Sequence, residues 1–372
     1  SGCRRNSPLP RVARVNSGPR FRDALQEIPG YRAGKRPDPR TDGVEAFKVS
    51  SNENPYPPLP QVVKVIEQAA HHVNRYPDPG SAELIEAIAA HAGVPREHVA
   101  VATGAVALCY QFAQSTAGPG DEVVFAWRSF EAYPIVTSVA GAQPVAVPLL
   151  ADGRHDMAAL AAAVTDRTRL VFICSPNNPT GTVVTQDELD EFMAAVPNDV
   201  MVVLDEAYIE FSRDPSAAAG LVTYTKHQNL AVLRTFSKAY GLAGLRVGYA
   251  IAQPPVIEAL NKTALPFGVS VIAQAAAAAS LADDAELRAR VDALVAERTR
   301  VMQGLRAAGV EVVPSEANFV WLPLGEQTEE FANRSEQAGL TVRAFAGEGV
   351  RVTIAETAAN DRFIGLASDF SR

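Results

Sequence analysis

Apolar positions along this chain keep changing their period, and each change marks an element. Short apolar runs stand at 99–102, 122–127, 144–149, 169–174, 200–204, 230–233 and 247–252, and each reads as a buried strand. Helix-period segments lie between the earlier ones, at 107–116, 130–139 and 157–164, with another running to 195 behind a Thr185/Glu188 capping box. This alternation over 99–252 predicts an α/β fold: a mainly parallel sheet of about seven strands with helices on both faces. Helices over 59–72 and 82–92, the second capped by Ser81, precede it.

Beyond 262 the pattern changes. An alanine-rich helix at 271–281 is followed by a long amphipathic one at 285–308, with Leu287, Val291, Leu294, Val295, Val301, Met302 and Leu305 on one face. Short strands at 311–313, 318–322, 340–343 and 351–354, with helices at 329–338 and 360–370, predict a smaller α+β C-terminal domain. The resulting division is a flexible leader at 1–20, an extended N-terminal arm at 21–48, a large domain at 49–262 and a small one at 263–372.

Composition narrows the function classes. With 372 residues, 47% apolar and 20% charged, the chain has the makeup of a globular protein with a sizeable core. A net charge of −8 argues against a nucleic-acid partner, which calls for clustered Lys and Arg. No apolar run approaches the length of a membrane span. Three cysteines without ligand spacing predict reduced thiols, a cytoplasmic setting and no metal.

The chemistry concentrates where strands end. Thr235, Ser237, Lys238 and Arg246 follow the apolar run at 230–233: one amine nucleophile among hydroxyls, glycines and a guanidinium, which suits an imine-forming lysine beside a phosphate. The bland alternative is a surface loop. The run at 99–102 enters Gly104, Ala105 and Val106 and then a helix, whose free N–H groups suit a phosphate, although many such turns bind nothing. The strand at 169–174 delivers Ser175-Pro-Asn-Asn178-Pro-Thr-Gly181, and that at 200–204 delivers Asp205-Glu-Ala-Tyr208, to the same sheet edge, where ligands of open α/β sheets bind. Asn52-Glu-Asn54-Pro-Tyr56 reads equally as a set of positioning groups or an exposed turn.

Ser175–Gly181, Asp205–Tyr208 and Thr235–Arg246, in that order and spacing, resemble the signature set of fold-type I pyridoxal-phosphate aminotransferases. The likeness runs from about residue 28 to the C-terminus and is nearest to the histidinol-phosphate aminotransferase subfamily. Within it, 125–134 and 316–325 resemble the actinobacterial aromatic-amino-acid (phenylalanine) aminotransferases. The resemblance implies pyridoxal 5′-phosphate as cofactor, with Lys238 as Schiff-base lysine and proton carrier and Asp205 as partner of the pyridinium nitrogen. It implies Tyr208 and Asn178 on the ring oxygen and Phe130 stacked on the ring. Thr235, Ser237, Arg246 and the backbone of Gly104, Ala105 and Val106 would hold the phosphate. Tyr76 would reach the phosphate of a neighbouring subunit, hence a homodimer. Arg351 would grip the substrate α-carboxylate; read without the resemblance it is a strand-start arginine, most simply at the surface.

The implied reaction passes the amino group of an aromatic amino acid to a 2-oxo acid such as 2-oxoglutarate. Tyr31, Trp127, Phe267 and Trp321 are candidates to line an aromatic slot, with Asn54 a further substrate-site candidate. The alternative is a histidinol-phosphate aminotransferase, for which Tyr31 and Arg343 are candidate phosphate donors. A non-catalytic regulator and a lyase or decarboxylase on the same fold are further alternatives.

Overall fold

A computed structural model describes residues 19, 21–25, 28, 30–38, 41–282 and 284–371. The expected leader at 1–20, apart from Pro19, lies outside them. The first strand, β1 (Phe47–Lys48), is followed by β2 (Val99–Ala102), β3 (Glu122–Trp127), β4 (Gln143–Pro148), β5 (Thr168–Cys174), β6 (Met201–Asp205), β7 (Leu230–Thr235) and β8 (Gly248–Ile251). Strands β2 to β8 form one seven-stranded sheet in the order β2-β8-β7-β6-β5-β3-β4. All pairs from β4 to β7 are parallel; β8 runs antiparallel between β7 and β2.

Continuous apolar runs form the central strands because both faces are covered. Val123, Phe125, Leu170, Phe172, Val203 and Leu233 join one core; their neighbours Val124, Val171, Ile173, Val202, Leu204 and Val232 join the other. The pleat therefore alternates between two apolar layers, and the strands can only end in polar residues at their tips. Register places Cys174 opposite Asp205 and Asp205 opposite Leu233, so the tips of β5, β6 and β7 lie side by side.

In the last third, β9 (Phe319–Leu322), β11 (Arg343–Phe345) and β12 (Gly349–Thr353) make an antiparallel sheet, while β10 (Leu340–Thr341) pairs with β1 in parallel. Helices Asp284–Ala307, Thr328–Gln337 and Thr357–Phe370 pack on this layer, and helix Val271–Ala282 packs on Pro60–Ala70 and Ala82–Ala92.

Three local expectations change. The strand expected at 311–313 reduces to a single bridge between Val313 and Trp321, since Pro314 has no N–H to continue a ladder. The single strand expected at 340–343 divides at Val342, giving one partner to each half. Ser81 does not cap its helix with its side chain; Asp78 Oδ2 accepts from the Ala82 N–H at 2.7 Å instead. The Thr185/Glu188 capping box is present as expected.

One buried ion pair stiffens the sheet behind the β6 tip. Arg234 donates from Nε to Glu206 Oε2 at 2.8 Å, and Glu206 Oε1 also accepts from the Gly220 N–H at 3.1 Å. Glu206 is 1% exposed, so removing its partner leaves a charge with nowhere to go. Arg234→Met is expected to lower unfolding free energy in urea by roughly 3–5 kcal/mol at pH 8.

Candidate active site

The tips of β5, β6 and β7, the start of helix Ala105–Thr116 and residues of the 349–353 strand enclose a cavity of about 240 Å³. At one end lies an anion seat. Gly104 precedes the helix at φ +87, and a Cβ there would meet Arg246 Nη2 at 2.5 Å. A Cβ on Gly248 would meet the Ala105 nitrogen at 2.6 Å, so β8 approaches the helix start only because it carries glycine there. Arg246, itself at φ +54, donates to Ser237 Oγ at 3.2 Å, and Thr235 Oγ1 accepts from the Ser237 N–H at 3.1 Å. Ala105, Val106, Thr235, Ser237 and Arg246 all line this end of the cavity. Hydroxyls, a guanidinium and helix N–H groups together form a donor set for a phosphate dianion.

Asp205 stands at the tip of β6, 3% exposed. Its Oδ2 accepts from the Tyr133 hydroxyl at 2.7 Å and its Oδ1 from the Ala207 N–H at 3.2 Å. Burial pushes the carboxyl up to about 6, opposed by those two donors. A cation placed against it would keep it ionised. Tyr133 is held by a parallel stack on Phe172 at 4.5 Å and an edge contact with Phe130 at 5.6 Å.

Lys238 lies in the middle of the cavity. Its Nζ donates to the Ser51 carbonyl at 3.2 Å and stands 5.7 Å from the centroid of the Tyr208 ring. Burial lowers its pKa to about 7, with Arg351, Arg246 and Lys48 adding positive charge and Glu53 opposing them. A neutral amine is a nucleophile and a base, whereas an ammonium is neither. Tyr208 accepts at its hydroxyl from Asn52 Nδ2 at 3.0 Å, and its pKa is raised by burial, against the pull of Arg351 and Asn52.

Arg351, the expected surface arginine of the residue-only reading, is instead 7% exposed in the middle of β12. It donates to Asn178 Oδ1 and to the Ser50 carbonyl, the latter at 2.6 Å, and its buried Nε has no partner among the described residues. A buried guanidinium with a spare donor on a cavity wall is suited to an incoming carboxylate.

Of the residues singled out from sequence, the fold brings Tyr31, Ala105, Val106, Phe130, Asn178, Asp205, Tyr208, Thr235, Ser237, Lys238, Arg246, Arg343 and Arg351 to this cavity, with Gly104 directly behind Arg246. Others lie elsewhere. Asn54 turns its amide to the carbonyls of Lys238 and Ala239, at 3.2 and 3.0 Å, and so fixes the lysine loop from behind. Tyr76 is 82% exposed and stacks on Phe267 at 4.7 Å, outside the cavity. Trp127 sits under the Arg128 guanidinium and borders an adjoining cavity of about 960 Å³, while Trp321 packs on Phe345 beneath the smaller sheet. The slot aromatics thus reduce to Tyr31, joined by Phe130.

Sequence reasoning left Tyr133 and Glu131 without a role. Nothing in the local pattern separates a hydroxyl on an Asp from a core tyrosine, and only tertiary contact across 72 residues does so.

A family model, "Aminotransferase class I and II", matches residues 44–364. The chain belongs to this family. An aromatic amino acid aminotransferase of Streptomyces coelicolor is 56% identical over 96% of this chain and 99% of its own length. One from Thermobifida fusca is 54% identical over 95% of this chain and 98% of its own. Among solved structures, the histidinol-phosphate aminotransferase of Sinorhizobium meliloti in complex with pyridoxal-5′-phosphate aligns with a TM-score of 0.85 at 28% identity, covering 94% of this chain and 97% of that one. The α/β fold of this aminotransferase is therefore the fold-type I architecture expected from its sequence motifs. Among its described residues, no helix is long and apolar enough to cross a membrane.

The depressed lysine has a thermodynamic signature. Between pH 7 and the unfolded value of 10.5 the unfolded chain holds a proton that the folded chain has released, so this group makes stability rise with pH across that window. Its penalty is fully present below about pH 7. Apoprotein carrying Lys238→Met is expected to exceed wild-type apoprotein in urea resistance at pH 6, with the gap closing toward pH 10. A gap independent of pH would mean the amine is not desolvated.

Proposed function

We propose that this aminotransferase binds pyridoxal 5′-phosphate in the Lys238 cavity and moves the amino group of an aromatic amino acid to a 2-oxo acid such as 2-oxoglutarate. The observation carrying this reading is one cavity that joins a phosphate-type donor set, a neutral amine, a buried carboxylate and a buried arginine with a spare N–H. The donor set fits the cofactor: hydroxyls, guanidinium and helix N–H groups at one end, Asp205 at the other, Phe130 and Ala207 on the walls. When bound, pyridoxal phosphate supplies an aldehyde that condenses with amines and a ring that takes up the electron pair left at the substrate Cα.

The protein supplies the rest. Thr235, Ser237, Arg246 and the N–H groups of Ala105 and Val106 hold the phosphate, and Gly104 keeps that seat open. Asp205, oriented by Tyr133 and the Ala207 N–H, holds a proton on the ring nitrogen. Tyr208 and Asn178 take the ring-oxygen side, and Phe130 takes a face. Lys238, its pKa lowered to about 7 by its surroundings, carries the proton to and from Cα. Arg351 binds the α-carboxylate and so fixes which bond at Cα is aligned to break.

The aromatic preference is supported by relatives at 49–56% identity that bear that name and by Tyr31 and Phe130 beside the cavity. Tyr76, exposed and stacked on Phe267, supports a homodimer in which it serves the neighbouring phosphate seat. Free amino-acid substrates and the reduced thiols Cys109 and Cys174 support a cytoplasmic setting.

L-Phenylalanine added to the cofactor-loaded protein is expected to convert its absorbance to that of the pyridoxamine form, and 2-oxoglutarate to restore it. A donor panel in which no aromatic amino acid changes the spectrum would refute the substrate class. Arg351→Ala is expected to cut kcat/KM for phenylalanine on the order of a hundred-fold, the worth of two charge-assisted hydrogen bonds. A loss below about threefold would move the carboxylate site elsewhere.

A further inference from the structure

The β11–β12 hairpin carries Arg351, and side chains tie it to the loops beyond the large sheet. Arg351 itself donates to Asn178 Oδ1, and Arg343 Nη2 donates to Glu131 at 2.6 Å. A further tie is made by Arg128, the first residue after β3. Its Nε donates to Glu348 Oε2 at 2.9 Å and its Nη2 to Oε1, a two-point pair with the hairpin turn. Its guanidinium also lies 4.5 Å from the centroid of the Trp127 ring and 5.2 Å from that of Phe345. A planar fork is held by such surroundings in a way that an ammonium is not.

These contacts close a circuit. The Arg128 carbonyl accepts from Asn177 Nδ2 at 3.2 Å, and Ser129 Oγ donates to Asn177 Oδ1 at 2.7 Å. Asn177 is fully buried and is followed by Asn178, which holds Arg351. The path from Arg351 thus runs through Asn178, Asn177, Arg128 and Glu348, and back along β12. One hydrogen bond between hairpin and loop would leave a pivot, and a second attachment at the turn removes it. Packing is incomplete here, because the junction opens into a cavity of about 510 Å³ bordered by Arg128, Glu348, Pro148 and Pro314. Arg351, Asn178, Arg343 and Glu131 all line the Lys238 cavity, whereas Arg128 and Glu348 lie outside its lining. Theirs is a tie that a ligand entering that cavity leaves alone. The two side chains are 20% and 37% exposed, so the pair adds little to stability; what it fixes is a position.

We propose that Arg128 is a positioning residue for the amino-group transfer: it locks the hairpin to the Asn177–Asn178 loop and so presets the Arg351 guanidinium for the substrate carboxylate. This rests on the reading of Arg351 given above and extends it to a residue that touches neither substrate nor cofactor. When only a fraction of molecules hold the competent arrangement, apparent affinity falls by that fraction. Once substrate is bound the arrangement is the same with or without Arg128. Loss of the tie therefore falls on KM and leaves kcat in place.

The two tryptophans of the chain, Trp127 and Trp321, both stand at this junction, one beside Arg128 and the other 5.5 Å from Phe345. Neither lines the Lys238 cavity, so their emission reads the junction without turnover and without ligand contact. On cofactor-loaded protein, Arg128→Gln and Glu348→Gln should each raise KM for L-phenylalanine about tenfold, with kcat held within about threefold. The double variant should be no worse than the worse single one, because both remove the same pair. In an Arg351→Ala background, Arg128→Gln should add nothing to KM. 3-Phenylpropionate, which keeps the ring and carboxylate but has no amine, should leave wild-type tryptophan emission in place. It should shift that of Arg128→Gln, where the junction is set only on binding. A KM within about threefold of wild type in Arg128→Gln, a loss confined to kcat, or an equal emission shift in wild type overturns the proposal. Should Arg128→Gln fail to fold, Glu348→Gln, on the more exposed partner, decides by the same KM. Arg351→Ala within about threefold of wild type would take down the carboxylate reading and this inference with it. Arg351→Ala impaired with Arg128→Gln unchanged takes down this one alone.

Discussion

A lysine amine whose hold on its proton is weakened by burial is the constraint on which the rest of the site depends. Lys238 is stripped of water between the smaller sheet and the tips of β6 and β7, with Arg351 and Arg246 on either side. In the proposed function each guanidinium has its own anion to hold, one a carboxylate and the other a phosphate, and both act on the amine at a distance as well. Those two charges therefore add to burial, the larger cause, in lowering the pKa of the amine. Opposite them, Asp205 sits in an apolar shell that raises its pKa, and Tyr133 and the Ala207 N–H restrain that rise. Charge at this site is arranged in advance, so little reorganisation remains when a reaction occurs.

The sheet explains why these groups meet. Parallel strands buried on both faces have no polar positions along their length, so their polar chemistry collects at the C-terminal tips. β5 and β6 deliver Cys174 and Asp205 in adjacent register, β7 ends two residues beyond Leu233 at Thr235, and the loops beyond them carry Asn178, Tyr208 and Lys238. The second half of the site comes from the smaller layer, where Arg351 is buried in β12, and from 50–52, which follows β1 and its pairing with β10. Asn52 is tied to both halves: its N–H donates to Thr353 Oγ1 at 2.9 Å and its amide to the Tyr208 hydroxyl at 3.0 Å. The proposed substrate contacts would thus span a junction between layers, while the proposed phosphate seat lies within one.

That division also governs what the sequence could reveal. The strands at 99–102 and 122–127 and the helix at 82–92 were legible to the residue, because Gly104, Gly120 and Gly93 stand within two residues of their ends. Lys238, Asp205 and the phosphate seat were legible because each follows its strand within a few residues. Arg351 required the family resemblance, since burial in a short β-strand leaves no local mark on an arginine. Trp127 and Trp321 misled, because an aromatic in a strand signals packing before it signals a ligand. Tyr133 and Glu131 stayed hidden for the opposite reason: each acts through one long-range hydrogen bond, on Asp205 and on Arg343, and no periodicity encodes such a bond.

The central claim is that the Lys238 amine carries the cofactor. Borohydride reduction of the pyridoxal-phosphate-loaded protein, followed by peptide mapping, tests it most directly. The account predicts one stoichiometric pyridoxyl group, on the peptide containing Lys238 and on that residue. A label on another lysine, or a reduced protein with none, would contradict it.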